Sequence, residues 1–313
     1  MTALINLIKG FRKTGQAARL ILLLFLLNFL FSLFLAVPMY HSLQASFGES
    51  LAGDVMVEKF DYLWWEEYRD QGEGLEKTFS PAIIGCGALL KNLENLVHMK
   101  FLSLPPLVLI FGIVYIFFHT FLAGGILAVL NPERPSFSMR LFFENAGRYF
   151  FYFAGYLIIS WGLFFLIASS LGNGFEGIVR HFARSADSEI LPFFVQLFFS
   201  LVIFFLILFI HMLFDYARIK TVQTRTRSVF TNTFSAVKFV FKNPGSTLGL
   251  YYSVFLAGII LSFLYILISS LIHQTSFFGI AAGFFIQQMF ILGIIWIRCW
   301  LYASELELHK YLT

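Results

Sequence analysis

Charge is the scarcest commodity in this chain. Only 13% of its 313 residues are Asp, Glu, Lys or Arg, about half the share of an ordinary soluble domain. So few ionised groups cannot cover a water-exposed surface, and a free soluble fold is excluded. Signature motifs are missing as well. There is no Gly-x-x-x-x-Gly-Lys-Ser/Thr phosphate loop, no His-Glu-x-x-His, no Gly-x-Ser-x-Gly, and no Cys or His cluster at metal-ligand spacing. An ATPase, a zinc protease and a serine hydrolase lose their main supports, and no catalytic, cofactor-binding or metal-ligating residue is assigned. With few charges inside its apolar stretches, an ion-coupled transporter also loses ground.

What the chain has is apolar length. It is 58% hydrophobic, with 42 phenylalanines and a mean hydropathy of +0.78. Six stretches, near 20–40, 105–130, 149–171, 191–214, 248–272 and 278–301, reach the roughly 20 residues that a helix needs to cross a bilayer. The first follows Lys9, Arg12, Lys13 and Arg19, as a secretory signal would. Its apolar run exceeds the 7–15 residues of a signal core, so it reads as a retained span.

Charge then sets the orientation. With both termini in the cytoplasm, the inner segments carry 15 basic and 5 acidic residues and the outer ones 7 and 13, as the positive-inside rule requires. The pI of 9.0 therefore reflects basic loops beside anionic headgroups rather than nucleic-acid binding. Cys86 and Cys299 fall on opposite sides of this topology and cannot pair.

A pattern recurs three times on the inner side. A short amphipathic stretch ends in Phe-x-x-x-Gly and runs into a long apolar helix: Phe11 to Gly15, Phe143 to Gly147, Phe241 to Gly245. Apolar stripes at helical spacing precede each glycine, namely Leu4, Leu7, Ile8 and Phe11, then Met139, Phe142, Phe143 and Ala146, then Phe230, Phe234, Val237 and Phe241. Such helices are expected to lie in the membrane interface, with the stripe towards acyl chains or neighbouring helices. Gly15, Gly147 and Gly245 are the expected hinges into the outgoing spans, the third reinforced by Asn243-Pro244. The expected fold is thus all-α. It is one polytopic membrane domain, 1–313, whose six transmembrane helices form three parallel repeats of in-plane helix plus hairpin, packed either as a ring or as a linear array. Its parts are 1–41, an outer helical cap at 42–104, a span at 105–130, a second repeat at 131–214 and a third at 215–313. Ile83, Ile84, Leu89, Leu90, Leu93 and Val97 mark a helical stripe in the cap.

Candidate polar residues are few. His211 and Asp215, four apart, share a helix face, and Arg298 is the natural partner for Asp215 at the same depth, since pairing avoids the cost of an isolated buried charge. His119 with Thr120, Gln287 with Gln288, and Asn28 read as interhelical hydrogen-bonding groups. Trp64, Trp65, Glu66 and Glu67 form the densest polar–aromatic cluster. Adjacent carboxylates on a helix do not converge on one atom, and tryptophans beside a bilayer anchor at its interface, so this cluster reads as an interfacial cap.

Two resemblances follow from particular residues. Asp215-Tyr216-Ala217-Arg218-Ile219, then Ser235-Ala236-Val237-Lys238-Phe239-Val240-Phe241-Lys242-Asn243-Pro244-Gly245 and Leu248-Gly249-Leu250-Tyr251, resemble a group of bacterial six-span inner-membrane proteins of uncharacterised function. Phe60-Asp61, Trp64-Trp65-Glu66 and Thr78-Phe79-Ser80-Pro81 are similar to the same group. More distantly, the six-span plan resembles the membrane domain found beside some glycerophosphodiester phosphodiesterases, a domain that itself carries no catalytic residues. The resemblance implies a bacterial inner membrane and proximity to lipid metabolism. The expectation is a non-enzymatic, lipid-associated scaffold or subunit of an envelope complex, with membrane lipids and a protein partner and without nucleic acid or cofactor. The alternatives are a transporter of lipid or a small amphipathic solute through the repeat interface, and a membrane-embedded enzyme.

Overall fold

The computed structural model describes residues 2–48, 61–80, 87, 106–131, 137–185, 190–224, 228–272 and 276–313, and among them there is no strand. Cys86, Phe60 and the cap stripe from Ile83 to Val97 lie outside the described residues. The helices are α1 (Thr2–Gln16), α2 (Ala18–Gly48), α3 (Tyr62–Gln71), α4 (Pro106–Val129), α5 (Met139–Ser185), α6 (Ile190–Thr224), α7 (Val229–Lys242), α8 (Pro244–Ser270) and α9 (Phe277–Leu312), with a 3₁₀ turn at Glu76–Thr78. Six of them, α2, α4, α5, α6, α8 and α9, are long and apolar enough to cross a membrane.

Two compact units result. One comprises 1–17, 118–254 and 299–313, the other 18–117 and 255–298. Their boundaries fall inside α4, α8 and α9 and do not follow the repeat boundaries at 131 and 215.

In the first unit three helix pairs illustrate the packing. At Gly10 of α1 an added Cβ would stand 2.1 Å from Ser304 Oγ and 2.6 Å from the Ser304 nitrogen of α9, which joins the first helix of the chain to the last. At Gly125 of α4 it would meet the Phe142 ring of α5 at 2.6 Å. Lipid offers no hydrophobic drive between helices, so small residues that let backbones approach are what such contacts need. Helix α7 lies on α6, where Tyr216 and Phe239 stand 5.2 Å apart and Phe209 meets Phe241 edge-on at 6.0 Å.

The faces of α1 and α7 sort in one sense. On α1 the buried residues are Asn6, Gly10 and Thr14; on α7 they are Asn232, Ala236 and Val240. The large apolar side chains point out, with Leu4 62%, Phe230 79%, Phe234 73% and Phe241 66% exposed. In each Phe-x-x-x-Gly segment the phenylalanine is exposed, at Phe11, Phe143 and Phe241, while the residue before it, Gly10, Phe142 or Val240, is buried.

The hinges need correction. Helix α5 runs unbroken through Gly147. The other two breaks fall at Ala17, whose N–H bonds to Thr14 O at 3.0 Å, and at Asn243, whose N–H bonds to Phe239 O at 3.1 Å. None of Gly15, Gly147 and Gly245 has a left-handed backbone, since among the described glycines only Gly74 does. A Cβ on Gly15 or Gly245 would meet nothing within 4 Å. Neither break falls on a glycine, and the one at Asn243 is followed directly by Pro244.

In the second unit α3 packs on the C-terminal end of α2. Asp61 caps α3 by accepting from the Leu63 and Trp64 N–H groups, leaving fewer orphaned donors at the helix start. Trp64 stacks between Phe47 at 4.4 Å and Tyr68 at 5.1 Å.

Candidate functional site

The first unit buries an unusual amount of polarity. Asp215, Ser304 and Glu305 have no exposed surface, and Thr221, Asn232, Arg218 and His309 are buried with them. Most of these residues sit on the last turns of α6 and α9, where burial extends to every side of the helix: 214–219 and 301–306 are buried without interruption.

Asp215 takes two cationic or ionisable partners from its own helix. Arg218, one turn on, donates from a guanidinium nitrogen to Oδ1 at 2.8 Å, and His211 Nδ1 stands 3.2 Å from Oδ2. A charge-assisted bond of that length is among the stronger hydrogen bonds. Removing one member of a buried pair leaves the other uncompensated, at about 3–5 kcal/mol. The guanidinium also lies 5.9 Å from the Phe153 ring centre of α5. His211 is on the rim, and the Tyr251 hydroxyl of α8 stands 3.2 Å from its Nδ1.

One turn further along α6, Thr221 ties three helices. Its hydroxyl donates to Ala217 O at 2.9 Å, which uses its only hydrogen. It therefore accepts both other bonds, from the Tyr156 hydroxyl of α5 at 2.7 Å and from Asn232 Nδ2 of α7 at 2.8 Å. Beside this node Tyr216 is fully buried, its hydroxyl finds no hydrogen-bond partner among the described residues, and both Asp215 and Glu305 are within electrostatic reach of it. His309 of α9 packs on Phe239 of α7 at 4.7 Å.

At the first helix, Trp300 of α9 donates its indole N–H to Leu7 O at 2.9 Å and meets Phe11 edge-on at 5.5 Å. Lys13 bonds to Glu307 at 3.4 Å. Burial draws the Lys13 ammonium below the ordinary lysine value, against the opposing pull of the Glu307 carboxylate.

The remaining candidates are dispersed. His119 is exposed on α4 while Thr120 is buried. Arg298 and Gln287 belong to the second unit, where Gln287 is exposed. Asn28 accepts from the Tyr115 hydroxyl at 3.0 Å and donates to Leu24 O at 2.8 Å. In the cap, Trp64 donates to Ser46 Oγ and Trp65 to Phe79 O, both at 3.0 Å. Glu66 and Glu67 are exposed and carry none of this packing. Ser42 of α2 donates to Glu76 Oε1 and stands 2.8 Å from the Tyr68 hydroxyl. That bond holds the Glu76 carboxyl below the ordinary carboxylate range, and burial raises Tyr68. Among the described residues no three His, Cys, Asp or Glu side chains group as a metal site would.

No protein-family description, curated protein or solved structure matches the chain.

The sequence held signals for part of this site that went unused. Asp215 and Arg218 are spaced three apart, a helical neighbour distance, whereas Thr221, Tyr156 and Asn232 come from three separate segments and share no local pattern. Chemically the arrangement suits locking helices together. The carboxylate is paired, and the Thr221 hydroxyl is saturated, giving its hydrogen to α6 and accepting from donors on α5 and α7.

Proposed function

We propose that this is a non-enzymatic, lipid-associated scaffold or subunit of an envelope complex in a bacterial inner membrane, with both termini cytoplasmic. The observation that carries the reading is the sorting of faces on the amphipathic segments. Each turns phenylalanine outward and buries the residue before it, and Lys9, Arg12, Arg140, Arg148, Lys238 and Lys242 are exposed on the same segments. An apolar outer face flanked by basic side chains is what an interfacial helix presents to acyl chains and anionic headgroups. We read α1 and α7 as equivalent in-plane units, with the start of α5 as their counterpart in a continuous helix.

Two further observations favour a structural role over transport or catalysis. The interior of the first unit is filled by large side chains, Phe142, Phe153, Tyr156, Met212 and Tyr216 among them, each with essentially no exposure. Its polar groups converge on helix-to-helix bonds. The resemblance to bacterial six-span proteins agrees with this reading and supplies the membrane. Affinity purification of the full chain in mild detergent, beside a lipid comparison of deletion and parent strains, tests it. A companion protein or an altered phospholipid profile is expected; unchanged lipids with no companion would sink the reading.

A further inference from the structure

Alongside α1 the contact with α9 leaves an open apolar groove of about 400 Å³ lined by Leu4, Leu7, Ile8, Phe11 and Trp300, with Arg12 its only charged lining residue. The close approach at Gly10 and the indole bond to Leu7 O hold its walls. Phe11 and Trp300, edge to face, form one end.

Charge singles out the occupant. Of the basic side chains on α1, Lys13 is engaged by Glu307, but Arg12 is exposed and its side chain makes no hydrogen bond or ion pair among the described residues. Lys9, one turn back on the same face, is exposed likewise. An apolar trough within the 300–1,000 Å³ range of ligand sites, ending at an unpaired guanidinium, matches a molecule with a hydrocarbon chain and an anionic head. Guanidinium binds phosphate with a planar fork of donors. Because six helices of the chain are fit to cross a bilayer, such a molecule surrounds it.

We infer that the α1–α9 groove is a binding site for one anionic phospholipid, an acyl chain lying against Leu4, Ile8 and Trp300 and the phosphate held by Arg12 with Lys9 near it. The site rests on the interfacial reading of α1. It deepens that reading by giving one amphipathic helix a defined lipid in place of a general affinity for the surface.

Native mass spectrometry of the full chain in detergent, titrated with 1-palmitoyl-2-oleoyl phosphatidylglycerol and with the matching phosphatidylcholine, tests the site. One phosphatidylglycerol is expected to be retained in preference to phosphatidylcholine. Arg12→Gln should weaken that lipid about tenfold, the loss expected of one charge-assisted bond, and leave phosphatidylcholine unchanged. Leu4→Trp or Ile8→Trp, each filling the groove from an exposed position, should weaken both lipids. Lys242→Gln, on another segment, should behave as the parent protein. Equal retention of the two lipids by the parent, or parent-like retention by Arg12→Gln or by both tryptophan variants, would overturn the assignment. The two readings fail separately. A captured companion with an Arg12→Gln variant that still prefers phosphatidylglycerol refutes the groove alone; selective binding with no companion and unchanged lipids refutes the scaffold alone.

Discussion

Replacing Gly10 with alanine probes the contact that joins the two ends of the chain. The new methyl would stand 2.1 Å from Ser304 Oγ, 2.6 Å from the Ser304 nitrogen and 2.7 Å from its Cα. Ordinary contact begins at 3.4 Å, so α1 must withdraw by about 0.8 Å, and a gap of that size forfeits roughly a quarter to a half of each facing dispersion contact. Overpacking of this kind costs about 1–3 kcal/mol. The bond from Trp300 to Leu7 O, worth about 1 kcal/mol, is strained by the same movement. Gly15→Ala is the matched control. Its methyl meets nothing within 4 Å, and alanine within a helix is favoured over glycine by roughly 0.5–1 kcal/mol. Thermal unfolding of the two variants in one detergent should therefore place Gly10→Ala below the parent and Gly15→Ala level with it or above. Hydrogen–deuterium exchange should quicken across residues 2–16 in Gly10→Ala alone. A second change, Ser304→Gly, removes the whole side chain but leaves the backbone nitrogen and Cα in place, so it should not rescue Gly10→Ala. Gly10→Ala as stable as Gly15→Ala, or rescue by Ser304→Gly, would refute the backbone contact and with it the closure of α1 on α9.

Two shorter tests address the other contacts. Thr221→Val keeps the shape of the side chain but strands the buried Tyr156 hydroxyl and Asn232 amide, at about 1–3 kcal/mol for each unsatisfied group; thermal unfolding should show that loss, and Thr221→Ser should restore most of the stability. In the cap, the lowered Glu76 carboxyl contributes stability that is present above the ordinary carboxylate pKa and lost as pH falls through the depressed folded value. Tryptophan fluorescence, reporting Trp64 and Trp65, should hold steady through the ordinary range and change below it. In Ser42→Ala, which removes the main cause of the shift, that change should move to higher pH, and an unmoved midpoint would show that the Ser42 bond does not govern it.

Much of the fold was legible in the sequence because its signal is local. A run of about 20 apolar residues spans whatever it packs against, and each of the six expected spans lies within or overlaps one of the six helices. At the Trp64 cluster both indoles are bonded, to Ser46 and Phe79, while Glu66 and Glu67 are exposed. The hinges were less legible. Gly15 and Gly245 each sit two residues from real breaks at Ala17 and Asn243, and Gly147 marks none, since glycine weakens a helix without ending it when the preceding turn stays bonded. The Asp215–Arg218 pair needed only the three-residue spacing. The Thr221 node needed Tyr156 and Asn232, 65 and 11 residues away.

By itself the sequence determined how many helices are long and apolar enough to cross a membrane, since apolar length is a property of a single segment. Only the tertiary structure decided which face of α1 and α7 turns inward and that α1 closes on α9. The physical reason is that lipid is as apolar as leucine. In water an apolar stripe marks the inside of a fold, but beside acyl chains it gains nothing by burial, and close packing and shared hydrogen bonds decide the interior. On α1 and α7 Asn6, Gly10, Thr14 and Asn232 went in, while Leu4, Phe11, Phe230, Phe234 and Phe241 stayed out.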